Sequence, residues 1–379
     1  MKKFLSLFML LVCLCCFYGC KNEKNDDEIV FGVVGPFTGS LSTYGDSVRR
    51  GVELAVKDLN ENGGLLGKKI RCLMEDDQGD SGQVLSAYNK LIDDVDFLFG
   101  EVTSGNSEIL VAQANSDKVL TIAPCATADG ITKGREYIFR TCFLDNSQGK
   151  AMAEFAKDGL NIKKVSIAYD EADDYSKGVA KAFKERATEL GIEVDFFDGG
   201  LKAKDNDQRA SIVQKLVDKN SDAIFAPIYY EDAAALAKEL RSAEYKKPLL
   251  GADGYDGILN QLEGAGDFTP ANNVFFSNHY CATEDNIVEF ANKFNKAYGS
   301  NPTSFAALAY DSVMLVAKAI ENANSIDTEK VKEALASIKF DGGLTGDISF
   351  DKEGDPIKTI CICEYVDGSI RLKTKIKQK

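Results

Sequence analysis

The stretch IVFGVVGPFTGSLSTYGDSVRRGVELAVKDLNENGG, residues 29–64, decides the fold. Ile29–Val34 is a continuous apolar run of β-prone residues, the pattern of a strand covered on both faces. Gly35-Pro36-Phe37-Thr38-Gly39-Ser40 interrupts it. Val48, Val52, Ala55 and Leu59 then share one helical face, with Asp46 or Ser47 as cap and Asn62-Gly63-Gly64 as stop. Strand, loop and amphipathic helix in that order form the repeating unit of a doubly wound sheet.

The unit recurs. Ile70–Met74, Val95–Phe99, Val119–Ala123, Val165–Tyr169, Glu193–Phe197, Ala223–Ala226 and Pro248–Leu250 read as further strands. Helical stripes lie between them, among them Met152, Phe155, Ala156 and Leu160, then Val179, Phe183, Ala187 and Leu190, then Ile212, Val213, Leu216 and Val217. This alternation predicts an α/β protein with parallel, doubly wound sheets. After helices around Leu308–Asn322 and Thr328–Ser337 the rhythm changes. Asp347–Phe350, Thr359–Tyr365 and Ser369–Lys375, with turns at Asp351–Asp355 and Asp367-Gly368, predict antiparallel strands.

A chain of 379 residues, 44% hydrophobic and 27% charged, has the length for two domains and the apolar content for their cores. Its N-terminus differs from the rest. Lys2 and Lys3 precede an apolar run from Phe4 to Tyr18, closed by Gly19-Cys20 and followed by polar residues to Glu28. This is the layout of an export signal, and the run is shorter than the ~20 residues that span a bilayer. Phe17-Tyr18-Gly19-Cys20 resembles a bacterial lipobox, which implies a signal peptide over 1–19, a lipid on Cys20 and a polar tether over 20–28. Such a chain is extracytoplasmic, in the periplasm or at the cell surface, and held to the membrane by its lipid.

Six cysteines follow the anchor: Cys72, Cys125, Cys142, Cys281, Cys361 and Cys363. None forms a Cys-x-x-Cys pair with another, and His279 is the one histidine, so no zinc-ligand spacing is present. Buried thiols are the favoured reading, and any disulfide pairing stays open. The formal charge is −14. Without a basic cluster interleaved with aromatics, this balance disfavours nucleic acid and anionic lipid surfaces as partners.

In an open parallel sheet, ligands bind beyond the carboxyl ends of the strands. The residues just after the predicted strands are Tyr44, the Gly100–Ser107 segment with Ser104, Pro124-Cys125-Ala126-Thr127, Asp173-Asp174-Tyr175, Tyr229-Tyr230 and Gly251-Ala252-Asp253-Gly254-Tyr255. They offer two hydroxyls near predicted helix starts, a carboxylate and several tyrosines. A helix start with a hydroxyl suits an anion, a carboxylate suits a cation, and tyrosines make apolar walls with polar tips. The set suits a small zwitterion with an apolar side chain.

Phe31–Gly39, Tyr44-Gly45-Asp46, Gly63–Lys69, Glu75-Asp76-Asp77, Pro124–Ala128, Phe139-Arg140-Thr141, Asp145–Gly149 and Phe350–Asp355 occur in the order and spacing of one family. Over nearly its whole mature length the chain resembles the periplasmic leucine/isoleucine/valine-binding proteins. The resemblance implies a type I periplasmic-binding fold: two Rossmann-like lobes, 29–146 with 277–350 and 147–276 with 351–379, joined by a three-crossing hinge and closing like a clamshell. It implies an ABC-importer substrate-binding protein, monomeric, that uses no cofactor or metal, catalyses no reaction and hands a free amino acid, branched-chain or similarly aliphatic, to a membrane permease. By position, Ser104 and Thr127 hold the ligand's α-carboxylate. The Cys125 carbonyl, the Thr127 hydroxyl and the Asp253 carboxylate hold its α-ammonium. Tyr44, Tyr175, Tyr229 and Phe305 match positions that line the side-chain pocket or its entrance. Cys125 replaces a small residue, and Asp253 stands where some relatives carry Glu.

Two other readings stand beside this one. An amide- or urea-binding protein, or a sensor, would share the fold; an amide ligand would need neither an anion site nor Asp253. An enzyme would need a motif the chain lacks: there is no Gly-x-Ser-x-Gly or P-loop, and Asp76–Asp80 lacks the spacing of a calcium loop. Asp76–Asp80 reads as a solvated loop, Asp170–Asp174 as solvated or helix-capping, and His279, after a Val274–Ser277 strand, as structural.

Overall fold

A computed structural model of the protein describes residues 27–202, 204–280 and 285–377. The export segment, Cys20 and Cys281 lie outside these residues.

The first sheet contains β1 (Glu28–Gly35), β2 (Lys69–Asp76), β3 (Phe97–Phe99), β4 (Thr121–Ala123) and β5 (Ile138–Arg140), in the order β2-β1-β3-β4-β5. All its pairings are parallel. Alternation along β1 explains its position. Ile29, Phe31 and Val33 enter one core with Val48 and Val52 of helix α1 (Ser42–Glu61), while Val30 and Val34 enter another. That second core holds Leu91 of α2 (Val84–Leu91) and Leu110 of α3 (Ser104–Ser116). A strand apolar on both faces is stable only between two layers, and each such side chain contributes about 1.5–3 kcal/mol on burial.

The second sheet has seven strands: β6 (Lys164–Ala168), β7 (Glu193–Asp198), β8 (Ala223–Phe225), β9 (Leu249–Gly251), β10 (Val274–Asn278), β11 (Thr359–Val366) and β12 (Ser369–Lys377). Their order is β12-β11-β10-β9-β8-β6-β7. Pairings from β7 to β10 are parallel, and β11 and β12 are antiparallel. Helices α4 (Asp145–Glu154), α5 (Asp174–Glu189), α6 (Asn206–Lys219), α7 (Tyr230–Ser242) and α8 (Ile258–Glu263) belong to this half. Helices α9 (Asp285–Tyr298), α10 (Ser304–Ala323) and α11 (Thr328–Ala336) return to the first. There α10 packs on α1 so closely that a Cβ at Gly51 would lie 2.3 Å from the Ala306 carbonyl oxygen, leaving space for glycine alone. Among the described residues no helix is long and apolar enough to cross a membrane.

Two elements differ from the sequence expectation. Helix α1 begins at Ser42, a full turn before Asp46. Ser47 is no cap, because its hydroxyl donates back to the Thr43 carbonyl at 2.6 Å, and Asp46 pairs instead with Arg50 at 2.7 Å. Tertiary packing sets the start: Tyr44 is fully buried, and a Cβ at Gly45 would lie 2.1 Å from the Pro36 carbonyl oxygen. Asp347–Phe350 is not a strand but contributes isolated bridges, Phe340 to Ile348 and Phe350 to Pro356. The Asp351 carboxylate accepts from the N–H groups of Glu353 (2.9 Å) and Asp355 (3.0 Å), folding the chain back before a ladder can extend.

Polar groups tie the segments that run between the two sheets. The buried Arg140 guanidinium donates to Asp355 at 2.5 Å and to the carbonyls of Ala126 (3.0 Å) and Ala128 (2.8 Å). The Lys358 ammonium donates to the Thr141 carbonyl (2.9 Å) and the Thr345 hydroxyl (2.5 Å), and burial brings its pKa down to about 8.

Candidate functional site

The carboxyl ends of both sheets face one another, and the loops there bring the eight sequence-predicted residues together. Tyr44 comes from the first turn of α1, Ser104 opens α3, and Cys125 and Thr127 follow β4. From the other half, Tyr175 lies in the first turn of α5, Tyr229 precedes α7 and Asp253 follows β9. Phe305 comes from the start of α10. With Val102, Thr103 and Gly254 they line a single cavity of about 10 Å³, room for one water-sized sphere. All but the half-buried Tyr229 are buried.

The halves meet through aromatic side chains. The Tyr44 hydroxyl donates to the Gly254 carbonyl and accepts from the Tyr230 N–H at 3.2 Å. The Tyr230 hydroxyl donates to the Ser40 carbonyl at 2.6 Å. Tyr175 and Tyr229 stack with centroids 5.0 Å apart, and the Tyr175 hydroxyl accepts from the Gly254 N–H at 2.9 Å. Tyr44 packs on Phe305 at 4.4 Å. Burial raises the pKa of the Tyr44, Tyr175 and Tyr229 phenols well above the ordinary value, so they act as neutral hydroxyls. Burial likewise keeps Cys125 a thiol.

On the first side, the Ser104 hydroxyl accepts from the Ala128 N–H at 3.2 Å, joining the start of α3 to the loop after β4. The sequence reading expected Thr127 near a helix start. The structure places it in an irregular loop with no helix before α4. Arg140 takes up the carbonyls on both sides of it, so a side chain holds this backbone where a helix would otherwise do so.

On the second side, Asp253 supplies the only carboxylate that the described residues bring to the cavity wall. One of its oxygens accepts from the Gln148 amide at 3.0 Å, and the other lies 3.1 Å from His279 Nε2. Gln148 Oε1 in turn accepts from the Asp253 N–H (3.1 Å) and the Ser277 hydroxyl (2.8 Å). Sequence reasoning missed this support. It quoted Gln148 within a matching stretch without a role and read His279 as structural. The available signal was a lone histidine directly after a strand that ends at the same rim.

Asp76–Asp80 is solvated only in part: Gln78 and Asp80 are exposed, whereas Asp76 ends β2 and Asp77 is buried. The Asp76 carboxylate accepts from the N–H groups of Phe37 (2.9 Å) and Thr38 (3.2 Å), holding the turn after β1. Asp77 is fully buried against Glu101, and burial raises both carboxyls above their ordinary pKa. No cluster of His, Cys, Asp and Glu able to hold a metal occurs among the described residues. Glu101 Oε2 accepts from Thr103 N–H (2.5 Å) and hydroxyl (2.8 Å), while Glu101 Oε1 and Asp77 Oδ2 have no third group as donor among the described residues. Two such carboxyls share a proton. Glu101→Gln therefore stabilises the protein by roughly 1–3 kcal/mol at pH 7, because its amide donates to Asp77. The raised pKa sets the sign: the gain is absent below about pH 4, where the unfolded carboxyls are also protonated, and grows as pH rises. Urea unfolding at pH 4 and pH 7 checks this, and an equal difference at both contradicts it.

Two parallel-sheet lobes with a buried polar cleft between the carboxyl ends of their strands define a type I periplasmic-binding fold. The chain belongs to the periplasmic binding protein family, whose model matches residues 28–369. It is 30% identical over 367 residues to the leucine-, isoleucine-, valine-, threonine- and alanine-binding protein of Pseudomonas aeruginosa, covering 93% of each chain. Among solved structures it resembles a leucine-binding protein from Thermotoga maritima (TM-score 0.82, 30% identity, 92% of this chain and 99% of that one). It also resembles a branched-chain amino acid substrate-binding protein from Streptococcus pneumoniae solved with isoleucine (TM-score 0.82, 32% identity, 92% of this chain and 100% of that one).

Proposed function

We propose that this protein is an extracytoplasmic solute-binding protein of an ABC importer, anchored through a lipid on Cys20, that captures a free aliphatic amino acid and presents it to a membrane permease. The observation that carries the reading is the convergence of Asp253 from one lobe with Ser104 and Thr127 from the other on one buried cavity. In this reading the lobes are those expected from the sequence, with two crossings moved by two residues so that α4, from Asp145, and β10, to Asn278, lie whole in the second lobe. Ser104 and Thr127 receive the α-carboxylate. Asp253, the Thr127 hydroxyl and the Cys125 carbonyl receive the α-ammonium. Tyr44, Tyr175, Tyr229 and Phe305 enclose the side chain.

The magnitudes are adequate. Hydrogen bonds to charged groups contribute about 1.5–3 kcal/mol each, and micromolar affinity needs about 8 kcal/mol net. A leucine-sized side chain adds about 1.5–3 kcal/mol on burial. Its volume requires the lobes to part or the rings to move. A second cavity of about 160 Å³ shares Tyr229 with the first, and its wall combines Leu41, Leu201 and Ile228 with the charged Asp173, Lys204 and Asp232. The ligand then bridges the lobes and favours the closed form, because only closure completes both halves of the site.

A thermal-shift panel of the twenty amino acids, small amides and urea tests the reading. Leucine, isoleucine or valine at a hundred times its Kd should stabilise the protein by about 2.7 kcal/mol. A response to amides or urea with none to amino acids would overturn it.

A further inference from the structure

We propose that His279 and Gln148 are positioning residues for Asp253: His279, as the neutral imidazole carrying its proton on Nε2, and Gln148, through its amide N–H, fix the two carboxylate oxygens while leaving the full negative charge for a ligand's α-ammonium. The inference rests on the amino-acid reading of the cleft and adds to it the groups that make a short carboxylate effective.

The geometry assigns the tautomer. Nε2 lies 3.1 Å from Asp253 Oδ2, an acceptor, so the proton sits on Nε2. Nδ1 is buried and has no hydrogen-bond partner among the described residues, as suits a bare lone pair and not an N–H. The ring is held in plane: it stacks on Phe143 with centroids 3.8 Å apart and 21° between planes, and meets Phe305 edge-on at 6.4 Å. Burial opposes protonation of this ring, and the charged groups acting on it are Asp253, which favours the cation, and Lys358, which disfavours it. Gln148 is fixed as firmly, since its carbonyl accepts from both Asp253 N–H and Ser277 and its amide also reaches Asp145 at 3.1 Å.

Neutral donors matter here. A lysine or arginine in place of His279 would hold the carboxylate equally well but cancel its charge. Two neutral donors occupy one lone pair on each oxygen and leave the others for the ligand. A carboxylate fixed before binding also spares the ordering cost that a mobile one would incur on capture.

Two measurements test this, both on protein made without a histidine tag. His279 is the only histidine, so one pair of imidazole ¹⁵N resonances reports its state without assignment. Neutral Nε2–H at pH 7 is expected, and an imidazolium or an Nδ1–H form would overturn the proposal. Calorimetry with L-leucine then compares two variants whose folding is checked by urea unfolding. His279→Phe keeps the stacked ring and removes the donor, and it should weaken binding about tenfold. His279→Gln restores a donor at the position of Nε2 and should stay within about threefold of the parent protein. Parent-like affinity in both variants, or equal loss in both, would overturn the positioning role while leaving the amino-acid reading intact. A parent protein that binds no amino acid at all would overturn that reading, and this inference with it.

Discussion

Asp253→Ala should weaken amino-acid binding by more than a hundredfold, because it removes the one carboxylate that the described residues place in the cavity wall, beside hydroxyls, the Cys125 thiol and backbone. Truncating one partner of a buried, hydrogen-bonded charge pair costs about 2–5 kcal/mol. The same change orphans the His279 and Gln148 donors that Asp253 satisfies, so a modest loss of stability of about 1–3 kcal/mol accompanies it. Asp253→Asn separates the two effects. It retains the volume and one acceptor oxygen but not the charge; with its amide N–H turned to His279 Nε2, which accepts when the ring proton moves to Nδ1, it should lose less stability than the alanine variant while binding as poorly. Calorimetry with leucine checks both variants, and parent-like affinity in Asp253→Asn would refute an ammonium role.

Arg140→Ala should have the largest effect on stability. The guanidinium is fully buried and serves acceptors from two separate parts of the chain, Asp355 and the carbonyls of Ala126 and Ala128. Thr132 adds a further link, its hydroxyl donating to Asp355 at 2.6 Å. Removing the cation leaves the buried Asp355 carboxylate without its counter-charge and the Ala126 and Ala128 carbonyls without their guanidinium bonds, a loss of about 3–5 kcal/mol. Lysine should not rescue, because a single ammonium cannot reproduce a planar fork that reaches three acceptors. Since those carbonyls flank Thr127, leucine affinity should fall along with the unfolding midpoint. Urea unfolding showing a loss below about 1 kcal/mol would contradict this account.

Local pattern made much of the fold legible. The continuous apolar run at 29–34 announced a strand between two layers, and its alternate side chains do enter different cores. The rim loops could be read because strand ends in a parallel sheet all point one way. What escaped depends on contacts distant in sequence. Helix α1 begins early because Tyr44 reaches Gly254 and Tyr230 across the cleft. Asp77 looked like a solvated loop residue because Glu101, its buried neighbour, follows a different strand. Strand β5 is three residues long and has no periodicity to detect. Gln148, Asp253, Ser277 and His279 converge only once β9, β10 and α4 have assembled, so no window of sequence contains their network.

A crystal structure of the protein with L-leucine tests the central claim most directly. The account predicts the ligand between the lobes, its ammonium nitrogen within hydrogen-bonding distance of Asp253 and its carboxylate at Ser104 and Thr127. Leucine seated elsewhere, or with its carboxylate turned toward Asp253, would contradict it.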